Sequence, residues 1–194
     1  MIAGIGRAII VVAALCLPVA AEPFHHPFGE WREYHRDWLA ACPDVIDENA
    51  GDYYGISCFA STGSQELNSA GLPAYKLTLF RNRLNGELDV AITIAADDAV
   101  MDQSRPLLLA FGAEAAQAFA FAGDLETRYN TTNQFYVADP DRKAVLIEQM
   151  QQRNWLDLTL PLAGGSEKQV RLSLRGVMAS MDFMATYARR VAQY

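Results

Sequence analysis

The chain has 194 residues, 51% of them hydrophobic, and a formal net charge of −7. That length supports one domain with a sizeable core. The acidic balance repels phosphate backbones and argues against nucleic acid as a partner. Met1–Ala21 reads as a signal peptide. Arg7 is its only charge, and an unbroken apolar run, Ala8–Leu17, follows. Pro18 breaks the run, and Val19-Ala20-Ala21 places small residues before Glu22. This is the order of a positive end, an apolar stretch and a cleavage site. The run is shorter than the roughly 20 apolar residues that span a bilayer, which argues against a retained anchor. Leu15, not a small residue, precedes Cys16, which argues against lipid attachment. Cleavage leaves residues 22–194, expected to be one periplasmic or secreted domain of net charge about −8 once Arg7 is lost. No second long apolar stretch follows, so no stable membrane insertion is expected after cleavage.

Glu22–Gly29 reads as a loose leader, because Pro23 and Pro27 lack backbone donors. Glu30–Cys42 fits two patterns: Tyr34, Trp38 and Ala41 share a helical face, while Asp37–Ala41 also suits a strand. Pro43–Gly55 and Thr62–Pro73 are polar loops, separated by a short strand, Ile56–Ser61. Ala74–Arg81 and Glu87–Ala95 alternate as strands around Asn85-Gly86, a strong hairpin signal. In the second, Leu88, Val90, Ile92 and Ile94 face one way and Asp89, Ala91 and Thr93 the other, the pattern of a half-buried pair. Leu107–Phe111 and Thr132–Val137 are further strands, and Ala113–Phe121 fits helix or strand. Asp139-Pro140 opens a helix to about Gln152, with a capping carboxylate and Pro at the first turn. Asn154–Leu160 and Gln169–Leu174 alternate as strands across Gly164-Gly165. Gly176 then starts a final helix in which Val177, Met181, Met184, Ala188 and Val191 form one apolar stripe. Asp182 near its start and Arg189 and Arg190 near its end suit the helix dipole.

These elements predict a mainly β fold: an antiparallel β-sandwich with a short internal helix and a C-terminal amphipathic helix. Cys42 and Cys58 are the two cysteines left after cleavage, and an even number in an exported chain favours a disulfide. It would close a loop of about 15 residues and contribute roughly 3 kcal/mol. Two free buried thiols are the alternative. A zinc site would need four ligands, and the histidines are His25, His26 and His35 alone.

Catalytic signals are scarce. The chain has no Gly-rich phosphate loop, no Gly-x-Ser-x-Gly elbow and no Cys-x-x-Cys. A hydrolase would have to recruit His35. His25 and His26 with Glu30 or His35 have divalent-metal chemistry, but solvated side chains on the leader are the simpler reading. Asp97-Asp98 reads as a solvated turn. Asn130-Thr131-Thr132 fits a glycosylation pattern that matters only in a eukaryotic secretory route. No cofactor, metal or catalytic residue is expected.

His35-Arg36-Asp37-Trp38-Leu39-Ala40-Ala41-Cys42, followed by Cys58, resembles the opening of the bacterial invasion-associated locus B family. The segment from Val170 to Met181, with Ser173-Leu174-Arg175-Gly176 at its centre, is similar to that family's closing Ser-Leu-basic-Gly step and helix. Leu146–Leu160 resembles its helix-then-strand step. Many members carry a second cysteine pair that this chain lacks. The resemblance implies a periplasmic or secreted, non-catalytic β domain that supports envelope or host-cell interaction through a protein partner. It implies Trp38 as a core anchor beside the Cys42–Cys58 staple, and Gly176 as the strand-to-helix turn. The other readings are a periplasmic binding or chaperone-like module for an envelope component, and a small periplasmic hydrolase using His35. A deep polar pocket at His35 would favour the enzyme; an apolar patch or open sheet edge would favour binding.

Overall fold

The computed structural model describes residues 22–191, without the side chains of 53 and 189–191. The expected signal peptide, Met1–Ala21, lies outside the described residues, and so does the side chain of Val191 at the end of the apolar stripe. Among the described residues, twelve strands form two antiparallel sheets, with one α-helix between strands and one after the last strand. The chain order is β1 (Phe24–His26), β2 (Glu30–His35), β3 (Trp38–Pro43), β4 (Ser57–Gly63), β5 (Tyr75–Asn82), β6 (Leu88–Ile94), β7 (Leu107–Ala110), β8 (Gln117–Phe119), β9 (Leu125–Glu126), β10 (Gln134–Val137), α1 (Pro140–Gln152), β11 (Trp155–Pro161), β12 (Glu167–Ser173) and α2 (Val177–Val191). The large sheet runs β1-β2-β3-β4-β5-β6-β10-β9, and the small one β12-β11-β7-β8. The fold is thus mainly β and sandwich-like, as the alternation predicts.

The expected local signals are in place. Asn82–Gly86 turns β5 into β6, with Gly86 at φ 79°. Asp139 caps α1 by accepting from the Arg142 N–H at 2.8 Å. The ambiguous Glu30–Cys42 segment is a hairpin, β2–β3, that turns at Arg36 with φ 57°. The ambiguous Ala113–Phe121 segment contributes β8.

Two of the strand expectations fail. The leader is not loose: Phe24–His26 adds an edge strand to β2, pairing His25 with Trp31. Pro23 and Pro27 flank that strand and leave its own donors intact. Nor is the β5–β6 pair half-buried, since Asp89, Ala91, Thr78 and Phe80 on its second face are buried as well. Phe80, Ala91 and Tyr136 form a small apolar cluster there, and Lys143 and Arg128 reach the Asp89 carboxylate.

One apolar core fills the space between the sheets. It includes Trp38, Leu77, Leu79, Val90, Ile92, Leu107, Leu109, Leu158 and Leu172. From α2, Val177, Met184 and Ala188 of the expected stripe are buried, Met181 is half-buried, and Phe183 and Tyr187 widen the face. Cys42 and Cys58 form a disulfide across neighbouring strands β3 and β4, with Cα atoms 4.2 Å apart. Trp38 is buried on the same core face of β3 but not beside the bridge. Four residues along a strand separate them by roughly 13 Å.

Candidate functional site

The two segments that carry the family resemblance meet in space. The β2–β3 turn packs against the step from β12 into α2, though 136 residues separate Asp37 from Ser173. Trp38 has no exposed surface, and its Nε1 donates to the Ser173 carbonyl at 2.9 Å. The Ser173 hydroxyl donates to Asp37 Oδ2 at 2.5 Å. Arg175 donates to the same oxygen through Nε at 3.0 Å and a terminal nitrogen at 2.8 Å. The Asp37 N–H meets the Arg175 carbonyl at 3.3 Å. The Ser173 bond foremost, and the Arg175 guanidinium, hold the Asp37 carboxyl below its usual range against an opposing desolvation.

Gly176 is required where it stands. Its φ is 109°, and a Cβ there would lie 1.8 Å from the His35 carbonyl oxygen. Leu174 places its side chain in the core. His35 packs its ring 6.0 Å from that of Phe183, with Glu33 Oε2 3.7 Å from Nε2. Nε2 itself is buried and makes no hydrogen bond. None of the described cavities includes His35 among its lining residues.

An open groove of about 640 Å³ begins at this clasp and runs along β12. One wall is Thr62–Glu66, at the end of β4; the other is β12, with Trp155, Asp37 and Arg175 at one end. Lys168 crosses it to Glu66 at 2.7 Å, which raises the Lys168 ammonium above its ordinary value. Arg171 pairs with Asp157 across β11 at 2.6 and 3.1 Å. Trp155 is 41% exposed, with the Arg175 guanidinium 5.3 Å from its ring centre.

The ladder phase shows which backbone groups of β12 face this groove. Leu174 N–H bonds to Asn154 O, and Leu162 N–H to Ser166 O, in the register of β11 with β12. Hydrogen-bonded pairs alternate in an antiparallel ladder. Leu172, Val170 and Lys168 therefore bond to β11, while Ser173, Arg171, Gln169 and Glu167 aim their N–H and C=O groups away from it. Trp38 takes the Ser173 carbonyl. Among the described residues no backbone bond joins the outward groups of Arg171, Gln169 and Glu167 to another segment. β12 is an edge strand of seven residues with its ladder open.

The other candidates do not converge on this groove. His25 Nε2 lies 2.6 Å from Asp44 Oδ2, and the His26 Nδ1 accepts from the Phe28 N–H. No three His, Cys, Asp or Glu side chains cluster as a ligand set among the described residues. Asp97 accepts from the Ser69 N–H and hydroxyl and ties two loops together. Asn130 occupies a turn at φ 56°. The open edge itself is not legible in the sequence, because edge position depends on sheet order.

No protein-family model matches the chain, and no curated protein sequence matches it. Among solved structures, the fold is similar to the crystal structure of invasion associated protein B from Bartonella henselae. The identity is 15% and the TM-score 0.54, over 81% of this chain and 98% of that one. At that identity the likeness concerns the fold.

Proposed function

We propose that this chain is a non-catalytic exported bacterial protein of the invasion-associated locus B type. It supports envelope or host-cell interaction by binding protein along the open edge of β12. The unpaired ladder groups at Glu167, Gln169 and Arg171 carry the reading, since an exposed sheet edge is a ready template for an added strand. The fold-level likeness to an invasion associated protein supports it. The Cys42–Cys58 bridge fits an oxidising compartment. His35 is a poor general base for the hydrolase alternative: only 13% of its side chain is exposed, against Phe183 and under Gly176. A general base needs reach to the proton it takes.

The test places a photo-crosslinking residue at Gln169, on the open edge, or at Glu148, on the exposed side of α1, in the exporting cell. Protein adducts from position 169 that are absent from 148 are expected. Equal labelling from both positions, or none from 169, would overturn the edge as the binding surface.

A further inference from the structure

The open edge of β12 fits itself. It reads Glu167-Lys168-Gln169-Val170-Arg171, with the outward-facing ladder groups at the first, third and fifth of these residues. We propose that a second copy of this chain occupies the edge, the two β12 strands pairing antiparallel about a twofold axis at Gln169. This rests on reading β12 as a binding edge, and it names the partner.

The register follows from charge. Centred on Gln169, the pairing sets Gln169 against the partner's Gln169 and Arg171 against the partner's Glu167, twice by symmetry. Arg171 already pairs with Asp157, and Glu167 with Arg105 at 3.5 Å, within each chain, so charges alternate in sign across Asp157, Arg171, the partner's Glu167 and the partner's Arg105. Of the other symmetric registers, centring on Arg171 opposes two arginines and centring on Glu167 opposes two carboxylates, both destabilising when directly opposite. Centring on Lys168 or Val170 loses both Arg171–Glu167 pairs, the latter setting Glu167 against Ser173, whose carbonyl Trp38 already takes. On the other face of the strand, Lys168 lies opposite the partner's Val170, with its ammonium drawn away to Glu66. The ladder cannot continue past Arg171, because Trp38 takes the Ser173 carbonyl and the Asp37 N–H takes that of Arg175. Three hydrogen-bonded pairs remain, about six backbone bonds in all. The two small sheets merge into one of eight strands, β8-β7-β11-β12 and its symmetry copy, and both open edges close.

The experiment measures the mass of the exported protein in solution across a concentration series, for wild type, Glu167→Arg, Arg171→Glu and Gln169→Pro. Wild type is expected to dimerise. Each charge reversal replaces two opposite-charge pairs by two like-charge pairs and should weaken self-association about tenfold or more. Mixing the two reversals restores both pairs, so a heterodimer should form where neither variant dimerises alone; that rescue also shows both variants folded. Gln169→Pro removes an outward N–H that no internal bond uses and should leave a folded monomer. A wild type that stays monomeric, or a dimer indifferent to all three changes, overturns the proposal. If the monomer still crosslinks other proteins from position 169, self-pairing fails while the binding edge stands; if it crosslinks nothing, both fail.

Discussion

Replacing Trp38 by alanine would remove the largest fully buried side chain among the described residues. A buried Trp removes roughly 150–250 Å² from water. At about 25 cal/mol per Å² that is some 4–6 kcal/mol, an upper bound against an extended unfolded chain. Large aromatic-to-alanine changes in cores cost about 3–5 kcal/mol. Trp38→Ala belongs at the upper end, because the Ser173 carbonyl also loses its donor and Ser173 is buried. In a chain of this size that lowers the melting temperature by on the order of 10 °C. Trp38→Phe separates the two contributions. It keeps an aromatic ring in the core but orphans the Ser173 carbonyl, at a cost of about 1–3 kcal/mol. Urea denaturation followed by circular dichroism gives both values. A loss below about 1 kcal/mol for the alanine variant would refute the anchor, and a phenylalanine variant as stable as wild type would refute the weight given to the indole bond.

Four further outcomes follow from the same packing. Gly176→Ala forces a Cβ against the His35 carbonyl at a φ that L residues rarely adopt; it should cost at least about 1–3 kcal/mol, and a neutral result would show that the β2–β3 turn yields freely. Natively exported protein should weigh two hydrogens less than its reduced form under non-reducing mass spectrometry; reduction should cost roughly 3 kcal/mol, and two freely alkylated thiols would refute the bridge. The folded Asp37 carboxyl titrates below its ordinary value, so its contribution is present above about pH 4 and lost as pH falls through the lowered value. Wild type should therefore be the more stable protein at neutral pH, and its melting temperature should converge with that of Asp37→Asn in acid; a constant difference would contradict this. Truncation after Arg175 strips Val177, Phe183, Met184 and Tyr187 from the core and should give an unstable or aggregating protein, whereas an unchanged melting temperature would place α2 outside the fold.

Legibility in the sequence tracked how local each signal is. Asn85-Gly86 and Asp139-Pro140 act within a few residues, and the β5–β6 hairpin and the α1 cap form at them. Asp89 alternated like a solvent-facing residue. Its burial depends on Lys143 and Arg128, 54 and 39 residues away. β9 has two residues and exists only as a partner of β10, so no period could reveal it. Gly176 was readable as a turn, but the carbonyl that demands a glycine belongs to His35, far back in the chain. The same holds for the candidate site: Trp38, Ser173 and Arg175 stood out as separate motifs, and nothing short of the tertiary fold joins them through Asp37.

That junction also decides how much of β12 is left open. An outward-facing strand of seven residues is an aggregation hazard unless something shortens or charges it. Here the indole of Trp38 closes the ladder at Ser173, and the Asp37 N–H closes it again at Arg175. Glu167 and Arg171 charge what remains, so a strand can add only where its own charges match. The side chain that anchors the core from β3 thus sets the length of the edge on β12. Loosening the clasp would lengthen that edge toward Ser173, beyond the Glu167 and Arg171 charges that set its register. Trp38→Phe, which frees the Ser173 carbonyl while keeping the core filled, should therefore associate less selectively than wild type. In that background the charge reversals at Glu167 and Arg171 should lose part of their effect on self-association. Charge reversals that act equally in both backgrounds would show that the indole bond serves the core alone.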